Sequence, residues 1–168
     1  RSSDLSVAPT LQAARDRWQQ VVREDLSLLP PGMEAWITEW NVNAVPYVSQ
    51  REDLRQNWAQ GLSVAWFALA SAADNRVGMS INHDVLSSGV TAAIFNGDHD
   101  TVRFGLAAGG WALRQVFTNF KGARTVAALN VDHPEDFIAV YVGDGAHHRV
   151  VAANLGGTER TIDRKSVV

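Results

Sequence analysis

Apolar positions recur along the chain with two different periods. Leu11, Ala14, Trp18, Val21 and Val22 fall three and four residues apart, with Arg15, Arg17, Gln19, Gln20 and Arg23 between them. That spacing predicts a helix with one apolar face. Thr10 is its expected N-cap. Leu28-Leu29-Pro30-Pro31-Gly32 ends it, because proline cannot continue a helix and glycine admits a turn. Glu34 to Asn41 follows as a strand, since aromatic Trp36 and β-branched Ile37 favour extended backbone. The run into it is nearly continuous in apolar residues, the pattern of a strand covered on both faces. Helix, short loop and strand make the α-to-β half of a βαβ unit.

Val42 to Val48 reads as a loop, and Ser49 with Glu52 as a capping box. Leu54, Trp58, Leu62, Ala65, Trp66 and Leu69 then mark an apolar stripe down a long helix. Gly61 inside it costs about 1 kcal/mol against alanine, and is expected to let the helix approach the sheet closely. The helix ends near Asp74-Asn75. Val77 to Asp84 is the next strand. Val90 to Phe95 reads equally as strand or loop, and Asn96-Gly97-Asp98 as a turn. A third helix starts near Gly110, with Leu113, Val116, Phe117 and Phe120 on one face.

From Ala123 the period shortens. Thr125–Leu129 and Phe137–Val142 read as strands, and Gly143-Asp144-Gly145-Ala146 turns the chain back into Arg149–Asn154. Gly156-Gly157 turns it again into Thr158–Ile162. Short strands with glycine turns predict part of an antiparallel β-sandwich. The boundary is expected near Lys121-Gly122, giving residues 1–122 and 123–168.

The chemistry centres on Glu39. A carboxylate ending an apolar strand is costly unless something uses or satisfies it. In α/β barrels the C-terminal strand ends carry the catalytic groups. Ile37-Thr38-Glu39-Trp40-Asn41 resembles the nucleophile segment of clan A retaining glycoside hydrolases, in the manner of the α-L-arabinofuranosidase and β-xylosidase families. The resemblance implies that Glu39 ends the seventh strand of a (β/α)8 TIM barrel. Val77–Asp84 is then the eighth strand, and the helices are about the sixth to eighth. It also implies O-glycosyl hydrolysis of arabinose- or xylose-containing saccharides by double displacement, with no cofactor. The family's acid/base glutamate follows an asparagine, and this chain contains no Asn-Glu pair. A (β/α)8 barrel takes roughly 250 residues. The expectation is therefore a C-terminal fragment, inactive alone. The rival expectation is a non-catalytic carbohydrate-binding or interaction module, and a third is a self-contained small α/β protein.

Trp40 is a candidate sugar-stacking residue or a packing residue; for Trp36 packing is preferred. Asn41 either binds a sugar hydroxyl, orients Glu39 or caps the loop. Asn82 and His83 open onto the face of Glu39 as candidate substrate-binding residues, His83 reaching either the substrate or the Glu39 carboxylate, or serving the structure alone. The rival reading of Glu39 is a carboxylate paired with an arginine. The family's aromatic residue at the end of the eighth strand has no counterpart between Met79 and Asp84, which puts the subsite architecture in question.

Composition narrows the partners. The chain has 168 residues, 46% hydrophobic, with a net charge of -3, a pI near 5.9 and a mean hydropathy of -0.11. That is a globular composition without a basic surface for nucleic acid. No apolar run approaches the roughly 18 residues of a membrane span. The absence of cysteine excludes disulfides and cysteine-ligated zinc. Asp98-His99-Asp100 and His147-His148 lack further ligands, so no metal is expected. Gly109-Gly110 and Gly156-Gly157 match no phosphate-binding loop and read as turns. The expected partner is a carbohydrate. Compartment and oligomeric state stay open.

Overall fold

The computed structural model describes residues 4–41, 58–83, 95–98 and 101–162. In chain order they form α1 (Asp4–Gln20), β1 (Ala35–Trp40), α2 (Trp58–Ala73), β2 (Val77–Asn82), β3 (Phe95–Asp98), β4 (Thr101–Leu106), α3 (Ala108–Phe120), β5 (Thr125–Ala128), β6 (Phe137–Gly143) and β7 (His148–Asn154).

Helix α1 begins before the cap expected at Thr10, because extending an existing helix is easier than starting one. It relaxes into a π-turn over Val21–Asp25 and a 3-10 turn over Leu26–Leu28. The Met33 N–H then closes on the Pro30 carbonyl at 3.1 Å. Gly32 takes a φ of 82°, open to glycine and strained for other residues.

Helix α2 carries no charged residue from end to end. A helix that is apolar all round belongs in the interior, and α2 occupies that place. Ala59, Val64, Trp66, Phe67 and Leu69 are all buried, so its contact surface wraps around the axis. This corrects the single stripe: Trp58 is 59% exposed, while Phe67, outside the stripe, is covered. Leu54, Ser49, Glu52 and the loop 42–48 lie outside the described residues. Gly61 also has a different role. A Cβ there would stand 3.0 Å from the Ala108 carbonyl oxygen, so the glycine admits the start of α3 and not the sheet. Gly109 and Gly110 are helical and buried, which corrects their reading as a turn.

Strands β1 and β2 run parallel, with Ala35 opposite Val77, Trp36 opposite Met79, Ile37 opposite Ser80 and Trp40 opposite Asn82. The register slips between Ile37 and Trp40. Helices α1 and α2 pack together, and α2 lies against β2. Trp36, Thr38 and Glu39 remain exposed, so β1 is covered in part and not on both faces. Asn96-Gly97-Asp98, expected as a turn, belongs to β3, which pairs antiparallel with β4.

Strands β5, β6 and β7 make one antiparallel sheet in that order. Val140, Val142, Ala153 and Leu155 join Leu11, Val64, Leu69, Leu113 and Val116 in one hydrophobic cluster. The core therefore runs across Lys121-Gly122. Helix α2 packs on this sheet, in the position a second sheet of a sandwich would take. Thr158–Ile162 carries no strand. Among the described residues the parallel strands number two, and they form neither a closed barrel nor a pair of facing sheets.

Candidate functional site

The turn between α2 and β2 sets the position of the second parallel strand. Asp74 accepts from the Arg76 N–H at 3.0 Å and from its guanidinium at 2.9 and 2.6 Å. The Arg76 side chain holds the Asp74 carboxyl below the ordinary carboxylate range, against the opposing effect of burial. The Arg76 carbonyl then accepts from the Ala35 N–H at 2.7 Å, at the start of β1.

At the other end of the pair, the Trp40 carbonyl accepts twice. The His83 backbone N–H reaches it at 2.9 Å, and the Asn82 side-chain amide at 3.2 Å. These bonds seat His83 beside Glu39, with Nδ1 3.3 Å from Oε1. The side chains are 48% and 67% exposed. In that much water the pair contributes at most about 1 kcal/mol to stability.

Glu39 and His83 line a cleft of about 580 Å³ together with Ile37, Trp40 and Asn41 from the strand end, Ser63 and Phe67 from α2, and Ala13, Ala14, Arg17 and Val21 from the α1 segment. Glu39 is the one carboxylate among these residues. The Trp40 ring stacks on Phe67 with centroids 4.5 Å apart and planes at 27°. Phe67 meets the edge of Trp18 at 5.3 Å and 87°. Trp40 therefore serves both packing and the cleft wall.

The structure redistributes the other expected roles. Asn82 spends its amide on the Trp40 carbonyl and does not line the Glu39 cleft. Trp36, expected to pack, is 69% exposed among the described residues. Among the described residues, the side chain paired with Glu39 is His83. Arg17, which lines the same cleft, donates to Gln20 at 2.8 Å. Asp84, His99 and Asp100 lie outside the described residues. His147 bonds Asp144, and His148 bonds the Tyr141 hydroxyl. Among the described residues no three His, Cys, Asp or Glu side chains converge on a metal site, and no helix is long and apolar enough to cross a membrane.

Arg17 and Phe67 were not singled out from sequence. Arg17 sits among the polar positions of α1, and nothing local marks it as a cleft residue. Phe67 was signalled by the charge-free stretch around it. Comparison with protein-family models, with curated proteins and with solved structures finds no match.

Proposed function

We propose that the chain carries the nucleophile half of a retaining glycoside hydrolase acting on arabinose- or xylose-containing saccharides. The observation that supports this most is the placement of Glu39. It lies at the C-terminal end of a parallel strand, in a cleft, with an imidazole from the end of the neighbouring strand at 3.3 Å. The segment Ile37–Asn41 that resembles the hydrolase motif is the segment that forms this strand end.

In the proposed reaction a Glu39 oxygen attacks the anomeric carbon as the glycosidic C–O bond breaks. The leaving oxygen takes a proton from a second carboxyl group, which lies outside the cleft residues described. That group then removes a proton from water as the water displaces Glu39 from the sugar. His83 Nδ1 stands 3.3 Å from Oε1, beside one carboxylate oxygen, and leaves the other free to attack. No cofactor takes part.

An activated sugar tests this reading. A 2-deoxy-2-fluoro xyloside or arabinofuranoside with a dinitrophenolate leaving group needs no general acid. The expected result is one sugar mass added to the peptide that holds Glu39, and none in Glu39→Gln. The exposure of Trp36 and Glu39 favours the second reading, a carbohydrate-binding module. Sugar binding that survives Glu39→Ala, with no label in either protein, would replace the first reading by that one.

A further inference from the structure

The backbone that presents Glu39 is loosely paired. The β1–β2 register runs from Ala35–Val77 to Ile37–Ser80 and resumes at Trp40–Asn82, so Thr38 and Glu39 fall within the slip. The Glu39 side chain is 67% exposed, and packing does little to hold it. The next residue, Trp40, is held at two places. Its ring stacks on Phe67. Its carbonyl accepts from the His83 N–H at 2.9 Å and from the Asn82 side-chain amide at 3.2 Å. A carbonyl oxygen has two lone pairs, and here both have a donor. Asn82 itself lines a separate cleft of about 220 Å³ with Ala68, Ser71 and Phe117. It is not among the residues that line the Glu39 cleft.

We infer that Asn82 is a positioning residue for the nucleophile, acting through the Trp40 carbonyl and not through contact with the sugar. Glu39 is the chain neighbour of Trp40, and His83 is the chain neighbour of Asn82. The Asn82–Trp40 bond therefore sets the spacing of the two strand ends that bring the carboxylate and the imidazole to 3.3 Å. The His83 N–H alone leaves that carbonyl one donor, about which the strand end can tilt. A misplacement of about 1 Å far from the chemistry costs on the order of a hundredfold in rate, and the loss of one donor of two shifts the end by less. This inference rests on the hydrolase reading and adds to it a residue that never touches substrate.

The test is the rate at which the dinitrophenyl 2-deoxy-2-fluoro xyloside or arabinofuranoside labels Glu39. In that step a carboxylate oxygen bonds to the anomeric carbon while dinitrophenolate leaves with the electron pair. Limiting rate and half-saturating concentration are measured separately for each folded variant, well below its melting temperature. Asn82→Ala is expected to lower the limiting rate about tenfold and to leave the half-saturating concentration unchanged. Should Asn82→Ala fail to fold, Asn82→Ser, with a side chain too short to make the same bond, replaces it. Asn154→Ala removes a comparable amide-to-carbonyl bond, to Thr158 at 2.8 Å, in the antiparallel sheet; its limiting rate is expected to match the parent. His83→Gln is expected to slow labelling, and adding Asn82→Ala to it is expected to slow it little further, since the two substitutions act on one unit. An unchanged limiting rate in the Asn82 variant would overturn the inference while leaving the hydrolase reading intact. So would a change confined to the half-saturating concentration, or effects of Asn82→Ala and His83→Gln that multiply in full. No label in the parent would overturn the hydrolase reading and this inference with it.

Discussion

Nδ1 of His83 lies 3.3 Å from Oε1 of Glu39, and the two residues come from the ends of neighbouring parallel strands. The contact is a product of register. It exists because the Trp40 carbonyl takes the His83 N–H. Glu39→Gln keeps a side chain of the same shape at an exposed position. Its melting temperature is expected to stay within about 4 °C of the parent, since an exposed pair contributes about 1 kcal/mol or less. If the hydrolase reading holds, turnover by the enzyme that contains this chain falls by several orders of magnitude. Near-normal turnover would sink the assignment.

Asn82 ties β2 to β1 through the Trp40 carbonyl. Asn82→Ala removes one of two donors to that oxygen and is expected to cost about 1 kcal/mol. A denaturant melt measures the loss. The His83 amide should also exchange faster with deuterium, because the strand end it closes has lost its second bond. Unchanged exchange would show that the backbone bond suffices.

Phe67 holds Trp40 on one side and Trp18 on the other, and is 6% exposed. Phe67→Ala is expected to cost about 3–5 kcal/mol. It should also loosen Trp40, visible as a change in near-ultraviolet circular dichroism in whatever fraction stays folded. A loss under about 1 kcal/mol would mean that the three rings do not form a packed unit.

Gly61 and Gly109 let α2 and α3 touch. In an exposed helix, glycine to alanine gains about 1 kcal/mol. At Gly61 the added Cβ meets backbone at 3.0 Å, and backbone cannot rotate away. Overpacking of this kind costs about 1–3 kcal/mol. Gly61→Ala is therefore expected to lower the melting temperature. A rise would show that the helices can part slightly without loss.

The β6–β7 turn has its own pH dependence. Asp144 accepts from the backbone N–H groups of His147 at 2.8 Å and Ala146 at 3.0 Å. These bonds, His147 first, bring its carboxyl from 3.8 down to about 2. A depressed folded value means that the ionised form favours the turn. The contribution is complete above 3.8 and disappears as the pH falls through about 2. Amide exchange in the hairpin should accelerate across that window in the parent protein. In Asp144→Asn the acceleration should be absent.

Much of the fold was legible because its signals are local. Trp36 and Ile37 place β1, and the proline–glycine stop places the turn before it. Gly145, with a φ of 93°, marks the β6–β7 turn. The helix α2 was legible from its apolar spacing, but that spacing draws only one stripe, and burial all round it came from the structure. The Asn96-Gly97-Asp98 turn failed because turn residues also occur within short strands, and pairing with β4 outweighs their preference.

The sequence by itself determined where the chain extends, where it coils and that Glu39 ends a strand. Those outcomes depend on residues a few positions apart, whose steric and hydrogen-bonding preferences act without the rest of the molecule. Tertiary structure alone decided that His83 meets Glu39, that Trp40 stacks on Phe67, that Arg17 enters the same cleft and that α2 becomes the centre of the core. Each of these joins segments far apart in sequence. Their distances follow from strand register and helix packing, which the whole set of buried side chains fixes together.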